Sequence, residues 1–286
     1  MKLSKILVPT DFSDCADNAL KAAVEIAAQS DAEIYLLTIL TPPNDSDKTD
    51  GAIDVDEKAP QHLQATDKLA AARQKIKERI EQYSHVPMDG GVSFDLVSRQ
   101  IFEFVNDKDM DLIVMGSHGA SGMKEITVGS NTQKVVRNAE VPVLVIKHAE
   151  KDFMPREVVF PSDFDHPTRH NKAVGFLKQM NTWFSSRIHL LKIITPNNFE
   201  ISSTSAALME KFAEHHQLDD FTINTYNSYN EEEGILNFAE ENKADLIAMS
   251  THGRKGLMHV LMGSITENIT NQSDIPILTF KVEKEG

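Results

Sequence analysis

Short apolar runs recur along the chain, with segments of helical periodicity between them. In the first half, residues 5–9, 33–40, 111–116 and 142–147 are rich in Ile, Val and Leu and barely alternate between apolar and polar positions. Such runs are typical of strands buried on both faces of a sheet. Residues 16–29 and 61–82 instead have apolar residues at helical spacing. Strands that alternate with helices predict βαβ units in a parallel sheet.

The apolar pattern occurs twice. Residues 6–12 (ILVPTDF) return as 158–164 (VVFPSDF), and residues 34–39 return 154 positions later as 188–193. Residues 111–119 (DLIVMGSHG) return 134 positions later as 245–253 (DLIAMSTHG). We therefore predict two tandem domains, residues 1–150 and 151–286. Because the offset falls from 154 to 134, the first half has 20 additional residues, which we assign to an acidic, flexible surface loop at 44–61.

Composition excludes several classes of protein. With 41% hydrophobic and 25% charged residues, the chain is predicted to be globular. A formal charge of -14 argues against nucleic acid as a partner, since nucleic-acid-binding domains have a basic face. No run approaches 18 consecutive apolar residues, and the N-terminus lacks the features of a secretory signal, so neither membrane association nor export is expected. A single cysteine, Cys15, fits a cytoplasmic location.

Glycines follow the fourth predicted strand at the spacing of a phosphate-binding loop. Gly116 and Gly119 are followed after nine residues by Gly129 and Ser130, which precede a helical run. Glycine lets a ligand approach the backbone closely, and the free N–H groups of a helix start attract anions. Ligands of open parallel sheets bind beyond the carboxyl ends of the strands, where the strand order reverses. The alternative is purely structural, with these glycines serving only a turn and a helix cap.

Two common nucleotide motifs are absent from the sequence. The pattern G-x-x-x-x-G-K-[ST] occurs nowhere, and G-x-G-x-x-G follows neither first strand. The chain is therefore predicted to be neither a P-loop enzyme nor a dinucleotide-binding protein of Rossmann type.

Together, the first strand ending in Val8-Pro9-Thr10-Asp11, the glycine loop and the closing strand Val141–Val145 resemble the universal stress protein family. The resemblance covers nearly the whole chain, twice. It implies two doubly wound α/β domains, each a five-stranded parallel sheet in the order 3-2-1-4-5 flanked by helices. It also implies that ATP or a related adenine nucleotide binds at the switch point, with or without Mg²⁺.

The resemblance assigns binding roles residue by residue in the first half. Adenine and ribose would be surrounded by Pro9, Thr10, Asp11 and Ile39, and the ribose–phosphate path would be lined by Met115, Gly116, His118 and Gly119. Phosphates would be held by Gly129, Ser130 and Asn131. Asp11 could also hold a metal through water, or cap the helix that follows it.

The second half keeps most of this pattern and departs from it at one position. The counterparts present are Pro161, Ser162, Asp163, Ile193, Gly253, Gly263 and Ser264. Ser250 stands where the first glycine is expected, and its Cβ could crowd the ligand. Arg254 and Lys255 would add positive charge to the phosphate path. We therefore expect weaker or altered binding in this half.

Further hypotheses concern metal binding, catalysis and assembly. His166 and His170, four residues apart, have a spacing that could bind zinc from one helix face, with solvated histidines as the alternative. We find no convincing set of nucleophile, base and orienting group, so a regulatory or structural nucleotide is expected. The alternatives are a slow ATPase or autophosphorylating enzyme and a nucleotide-independent stress adaptor.

Since the last strands of family domains pair, the two halves should form an intramolecular pseudo-dimer, and the chain could also form a homodimer.

Overall fold

A computed structural model describes residues 2–40, 60–94, 96–118, 128–148, 153–198, 201–251 and 260–282. In the first half the strands are β1 (Lys5–Pro9), β2 (Glu33–Leu40), β3 (Met88–Phe94), β4 (Leu112–Gly116) and β5 (Val143–Ile146), and the helices are α1 (Asp14–Ser30), α2 (Pro60–Gln82), α3 (Val97–Lys108) and α4 (Ser130–Asn138). In the second half the strands are β6 (Glu157–Pro161), β7 (Arg187–Ile194), β8 (Phe221–Asn227), β9 (Leu246–Thr251) and β10 (Ile277–Lys281). The helices there are α5 (Asn171–Phe184), α6 (Ser202–His216), α7 (Glu231–Glu241) and α8 (Val260–Gln272), and a 3₁₀ turn, Pro167–His170, precedes α5.

All ten strands form one continuous sheet in the order β3-β2-β1-β4-β5-β10-β9-β6-β7-β8. Within each half the pairing is parallel, and the order is third, second, first, fourth, fifth. The predicted doubly wound fold is therefore confirmed. The order reverses between β1 and β4 in the first half and between β6 and β9 in the second, so each half has one switch point.

The two halves meet through their last strands. β5 and β10 pair antiparallel, with Val145 opposite Ile277 and Val143 opposite Thr279. Two copies of one domain joined edge to edge in this way are related by a local twofold axis, so the expected pseudo-dimer is present within the chain. The pairing also covers both of the edges that these short, apolar strands would otherwise expose.

Helices cover both faces of the sheet. On one face, α1 and α5 pack over a core that continues across the two halves and includes Ile6, Leu36, Phe160 and Phe280. On the other face each half has its own cluster, built between the strands and α3 and α4 in the first half and between the strands and α7 and α8 in the second. The strands are buried on both sides, which explains their continuous apolar runs.

The insertion in the first half is shared between a connection and a helix. α2 has 23 residues whereas its counterpart α6 has 15, so eight of the 20 additional residues lengthen the helix. The acidic loop predicted at 44–61 lies outside the described residues except for its last two, which belong to α2. The prediction that the whole insertion is loop was therefore too broad.

Candidate functional site

The first-half switch point brings together residues from three strand ends. β1 lies between β2 and β4, with Pro9 opposite Leu37 and Leu7 opposite Ile113. The carboxyl ends of these strands therefore place Pro9, Thr10 and Ile39 at the same edge of the sheet as Met115 and Gly116. The side chains of Ile39 and Met115 belong to the same apolar cluster, on the face covered by α3 and α4. That face is where the predicted site would receive an apolar ring.

The turn from β1 to α1 is held by its own side chains. The Thr10 hydroxyl accepts a hydrogen bond from Phe12 N (3.1 Å), and Asp11 Oδ1 accepts one from Ser13 N (3.1 Å). Phe12 has a positive φ of 62°, which turns the chain sharply into the helix. The α1 N-cap is Ser13, whose side chain accepts from Ala16 N. The alternative role of Asp11 as the N-cap is therefore wrong, and its carboxylate stays exposed at the strand end.

Gly116 is required by packing within the protein. A Cβ at this position would lie 2.9 Å from Cys15 Sγ, 3.0 Å from the Cys15 carbonyl carbon and 3.1 Å from its oxygen. Cys15 itself is buried at the start of α1, and its thiol donates to the Ile146 carbonyl (3.2 Å). The first glycine of the motif thus allows α1 to approach the end of β4.

Gly129 has no such packing requirement within the described part of the chain. Its φ of -60° suits any residue, and the nearest described atoms that a Cβ there would meet are Ser117 O at 3.5 Å and the His118 Cα at 3.7 Å. Gly129 N donates to Ser117 O (2.7 Å), which sets the start of α4 beside the end of β4. No side chain caps this helix start. The described residues therefore leave open both the space over Gly129 and the direction in which the first α4 N–H groups point.

The other predicted site residues of the first half that the structure describes lie near Gly129. Ser130 and Asn131 are exposed in the first turn of α4, as the motif predicts for phosphate-binding groups. His118 is exposed two residues beyond β4, with Nδ1 2.9 Å from the buried hydroxyl of Ser117. Gly119 lies outside the described residues.

A side chain from the second half braces the start of α4. Asn271, on α8, accepts hydrogen bonds through Oδ1 from Val128 N (3.2 Å) and Gln133 Nε2 (3.3 Å). At the pseudo-equivalent position of the same helix pair, Arg137 binds both carboxylate oxygens of Glu267 (2.5 and 2.6 Å). The backbone around Gly129 is thus positioned partly by the other half of the chain.

The second half has a cavity of about 280 Å³ at its own switch point. Apolar side chains from the strands and from α7 and α8 form its walls, and titratable side chains from the β6–α5 connection and α7 add polar groups. The lining residues are Pro161, Ser162, Asp163, Phe164, Asp165, His166, Arg169, His170, Leu191, Ile193, Glu231, Ile235, Met249, Ser250, Ile265, Thr266 and Val282. Four second-half residues of the sequence prediction, Pro161, Ser162, Asp163 and Ile193, therefore lie in one cavity.

Ser250 is accommodated by a local rearrangement. Its hydroxyl is 3.0 Å from Nδ1 of the buried His170, whose Nε2 is 3.3 Å from the Ser162 hydroxyl. His170 is the last residue of the 3₁₀ turn before α5, so this turn brings the imidazole beside Ser250. Hydroxyl groups occupy both ring nitrogens, and the described residues contain no cluster of metal-ligating side chains. The zinc hypothesis for His166 and His170 therefore has no support.

The glycine pair of the second half has a different setting from its first-half counterpart. α8 begins at Val260, so Gly263 and Ser264 lie inside the helix, whereas Gly129 and Ser130 stand at the start of α4. The N–H groups of Gly263 and Ser264 therefore lie beyond the first turn of α8, whose N–H groups have no acceptor within the helix. Gly253 lies outside the described residues.

The cavity lining includes residues that were not among the predicted site residues, Glu231 and His170 among them. Glu231 begins α7, and burial, with the nearby charges of Asp163 and Glu232, raises its pKa. His170 was predicted only as a possible zinc ligand. Glu231 could have been found by aligning the halves, since the offset of 134 places this acid where the first half has the apolar Val97.

Comparison with known proteins identifies the fold and the repeat. A sequence model of the universal stress protein family matches residues 2–147 and, separately, residues 154–281. The chain belongs to the universal stress protein family. Its two matches correspond to the two halves of the ten-stranded sheet.

Individual universal stress proteins match one half or both. MJ0531 of Methanocaldococcus jannaschii is 34% identical over 152 residues, which are 52% of this chain and 84% of that protein. MJ0577 of the same organism is 29% identical over 154 residues, 50% of this chain and 94% of the relative. The solved universal stress protein of Archaeoglobus fulgidus, 20% identical, covers 98% of this chain and 99% of its own length with a TM-score of 0.75, and so shares the tandem fold.

A further solved universal stress protein is in complex with cAMP; it is 17% identical and covers 46% of this chain and 99% of its own, with a TM-score of 0.37. In the part of this chain that the structure describes, no helix is both long and apolar enough to cross a membrane.

Proposed function

We propose that the first half of this stress-response protein binds an adenine nucleotide, ATP most directly, as a regulatory or structural ligand. The observation that carries the proposal is the contrast between the two glycines. Gly116 is explained by its contact with Cys15, whereas neither backbone conformation nor packing against the described residues explains Gly129. Glycine is also only a moderate helix N-cap, less favourable than Ser, Asp or Asn. A ligand that approaches the backbone at this point accounts for its absent side chain.

The chemistry around Gly129 fits a phosphorylated ligand. The start of α4 has no side-chain cap, so its N–H groups and the positive end of the helix dipole are available to an anion. Ser130 and Asn131 add exposed polar side chains beside it. On the same edge of the sheet, Ile39 and Met115 offer apolar surface to a base, and the exposed Asp11 carboxylate can accept from a sugar or an amino group or hold Mg²⁺ through water.

The described residues favour binding over catalysis. The histidine of the glycine loop, His118, pairs with the Ser117 hydroxyl, but Ser117 is only 1% exposed and cannot reach a ligand. No second general base stands beside Ser130 among the described contacts. ATP bound here would supply charge and contacts that fix α4 and the ends of β1 and β4. Slow hydrolysis and a nucleotide-independent adaptor remain the competing functions, and each has a distinct experimental outcome.

Two experiments test the proposal. Freshly purified protein is denatured, and the released small molecules are identified by mass spectrometry. ATP, AMP and cAMP are then titrated calorimetrically into the wild type, into Gly129→Val, and into Gly175→Val, a matched control at an open position on α5 where an added Cβ meets nothing within 4 Å. We expect ATP binding that is lost in Gly129→Val and retained in Gly175→Val, and no phosphate release on the timescale of binding.

Absence of both released nucleotide and titration heat would contradict nucleotide binding and favour the adaptor. Steady phosphate release that Gly129→Val abolishes would favour the ATPase. Circular dichroism of both variants establishes that the substitutions leave the fold intact.

A further inference from the structure

The cavity of the second half differs chemically from the first-half site at three equivalent positions. Ile265 lines the cavity where the offset of 134 places Asn131 in the first half. Glu231 lines it where the first half has Val97, whose side chain packs against the apolar cluster. Gly263, the counterpart of Gly129, lies inside α8 and not at a helix start. Each change is expected to weaken the binding of phosphate.

The loss of anion-binding groups comes from the position and composition of α8. In the first half, an uncapped helix start and the polar side chains of its first turn would hold the phosphates of the proposed nucleotide. In the second half, the helix begins three residues before Gly263, so the N–H group of this glycine bonds within the helix. An isoleucine then replaces the amide of Asn131. Among the described residues, these features leave fewer hydrogen-bond donors at the place where the first half would hold phosphates.

The gain of negative charge comes from α7. Glu231 is partly buried, and the raised pKa of its carboxyl reports both burial and the nearby charge of Asp163. Among the described residues, these two carboxylates and Asp165 share the cavity with one guanidinium, that of Arg169, and two imidazoles, whereas Arg254 and Lys255 lie outside the described residues. A phosphate would meet net negative charge from this described lining, whereas a hydroxyl or amino group would find acceptors.

The rest of the cavity suits an apolar body of moderate size. Leu191, Ile193 and Met249 line it from the sheet, and Ile235 and Ile265 line it from the helices. The volume of about 280 Å³ is at the small end of the range for ligand pockets. Apolar walls with a few acceptors at one end are the usual arrangement of a site for a small organic molecule.

We propose that the second-half cavity binds a phosphate-free ligand of nucleoside type, whose hydroxyl or amino donors are accepted by Glu231 and Asp163. The two halves then differ in ligand class: the first takes a phosphorylated nucleotide and the second a nucleoside. This inference deepens the proposed function, since it takes the first-half site as its reference, but it concerns a separate cavity and can fail separately.

Adenosine and ATP are the probes that separate the two classes. Both are titrated into the full chain carrying Gly129→Val, so that heat from the first-half site is removed. We expect adenosine to bind at least about tenfold more tightly than ATP. An ATP phosphate that lacks donors in this cavity loses at least one charged hydrogen bond, and one such bond corresponds to about tenfold or more in affinity. Glu231→Val, which introduces the residue found at the equivalent first-half position, should weaken adenosine binding about tenfold. It should also reduce the difference in affinity between adenosine and ATP.

The matched control is Glu240→Gln, because Glu240 is exposed farther along the same helix and does not line the cavity. It should leave adenosine affinity unchanged. ATP binding as tight as adenosine binding, no adenosine binding to the Gly129→Val chain, or unchanged affinity in Glu231→Val would each overturn the inference. If the first half binds no nucleotide, the wild type will not bind ATP, and this result is independent of whether adenosine binds to the second half.

Discussion

Adding one methyl group at Gly116 tests how the first-half switch point is packed. The new Cβ would lie 2.9 Å from Cys15 Sγ and 3.0 Å from the Cys15 carbonyl carbon, both inside normal contact distance. The sulfur could turn away, but the carbonyl carbon and oxygen belong to the α1 backbone, so α1 would have to shift relative to β4. Overpacking of this kind costs about 1–3 kcal/mol. Gly116→Ala should therefore be destabilised by about that amount.

Thermal unfolding followed by circular dichroism measures this cost. For a domain of about 150 residues, 1 kcal/mol shifts the midpoint by about 2–4 °C, so we expect a fall of roughly 2–12 °C. Gly175→Ala is the control, because its Cβ enters open space and a helical Gly→Ala change stabilises by about 0.5–1 kcal/mol. Cys15→Ala combined with Gly116→Ala should recover only part of the loss, since the backbone contacts remain. An unchanged midpoint in Gly116→Ala would refute this account of the first glycine.

Three further predictions address charge, coupling and the joining of the halves. Burial raises the pKa of Glu231, so the folded state holds the carboxyl proton more tightly than the unfolded state does. The free energy of unfolding therefore falls as pH rises through the carboxyl range. Glu231→Gln should raise the unfolding midpoint at pH 7 and make that midpoint less dependent on pH between pH 4 and 7. Asn271→Ala leaves Val128 N without its acceptor and should weaken ATP binding to the first half several-fold by calorimetry, whereas Asn268→Ala on the same helix should not. Leu278→Pro removes a ladder hydrogen bond from a strand that is paired on both sides, so the halves should unfold separately or aggregate in scanning calorimetry; the buried acceptor left without its donor costs about 1–3 kcal/mol. A single transition at the wild-type temperature would contradict this last prediction.

The parts of the fold that could be predicted are those in which residues close in sequence determine the structure. The buried strands β1, β2, β4 and β5 have continuous apolar runs because both of their faces are covered, and their observed bounds match the predicted ones to within a residue. β3, in contrast, contains Gly90 and Gly91 and lies at the sheet edge, so no apolar run marks it. Its seven-residue register with β2 is set by its neighbour and not by its own sequence.

The candidate site was predictable where the two halves repeat each other and not where they differ. The motif residues Pro9, Ile39 and Gly129 are brought to one edge by strand order, which the repeat and the family resemblance imply. His170 and Ser250 are 80 positions apart, and they meet where the 3₁₀ turn ends beside the carboxyl end of β9. The beginning of α8 at Val260 likewise has no local signal in the Gly263–Ser264 pair.

The proposed nucleotide of the first half lies against the backbone at Gly129. Calorimetric titration of ATP into the wild type, Gly129→Val and Gly175→Val, at equal protein concentration and salt, is the decisive experiment for this site. We expect about one ATP per chain for the wild type and for Gly175→Val, and an affinity at least about tenfold lower for Gly129→Val. Equal ATP affinity in all three proteins, or none in any of them, would contradict it.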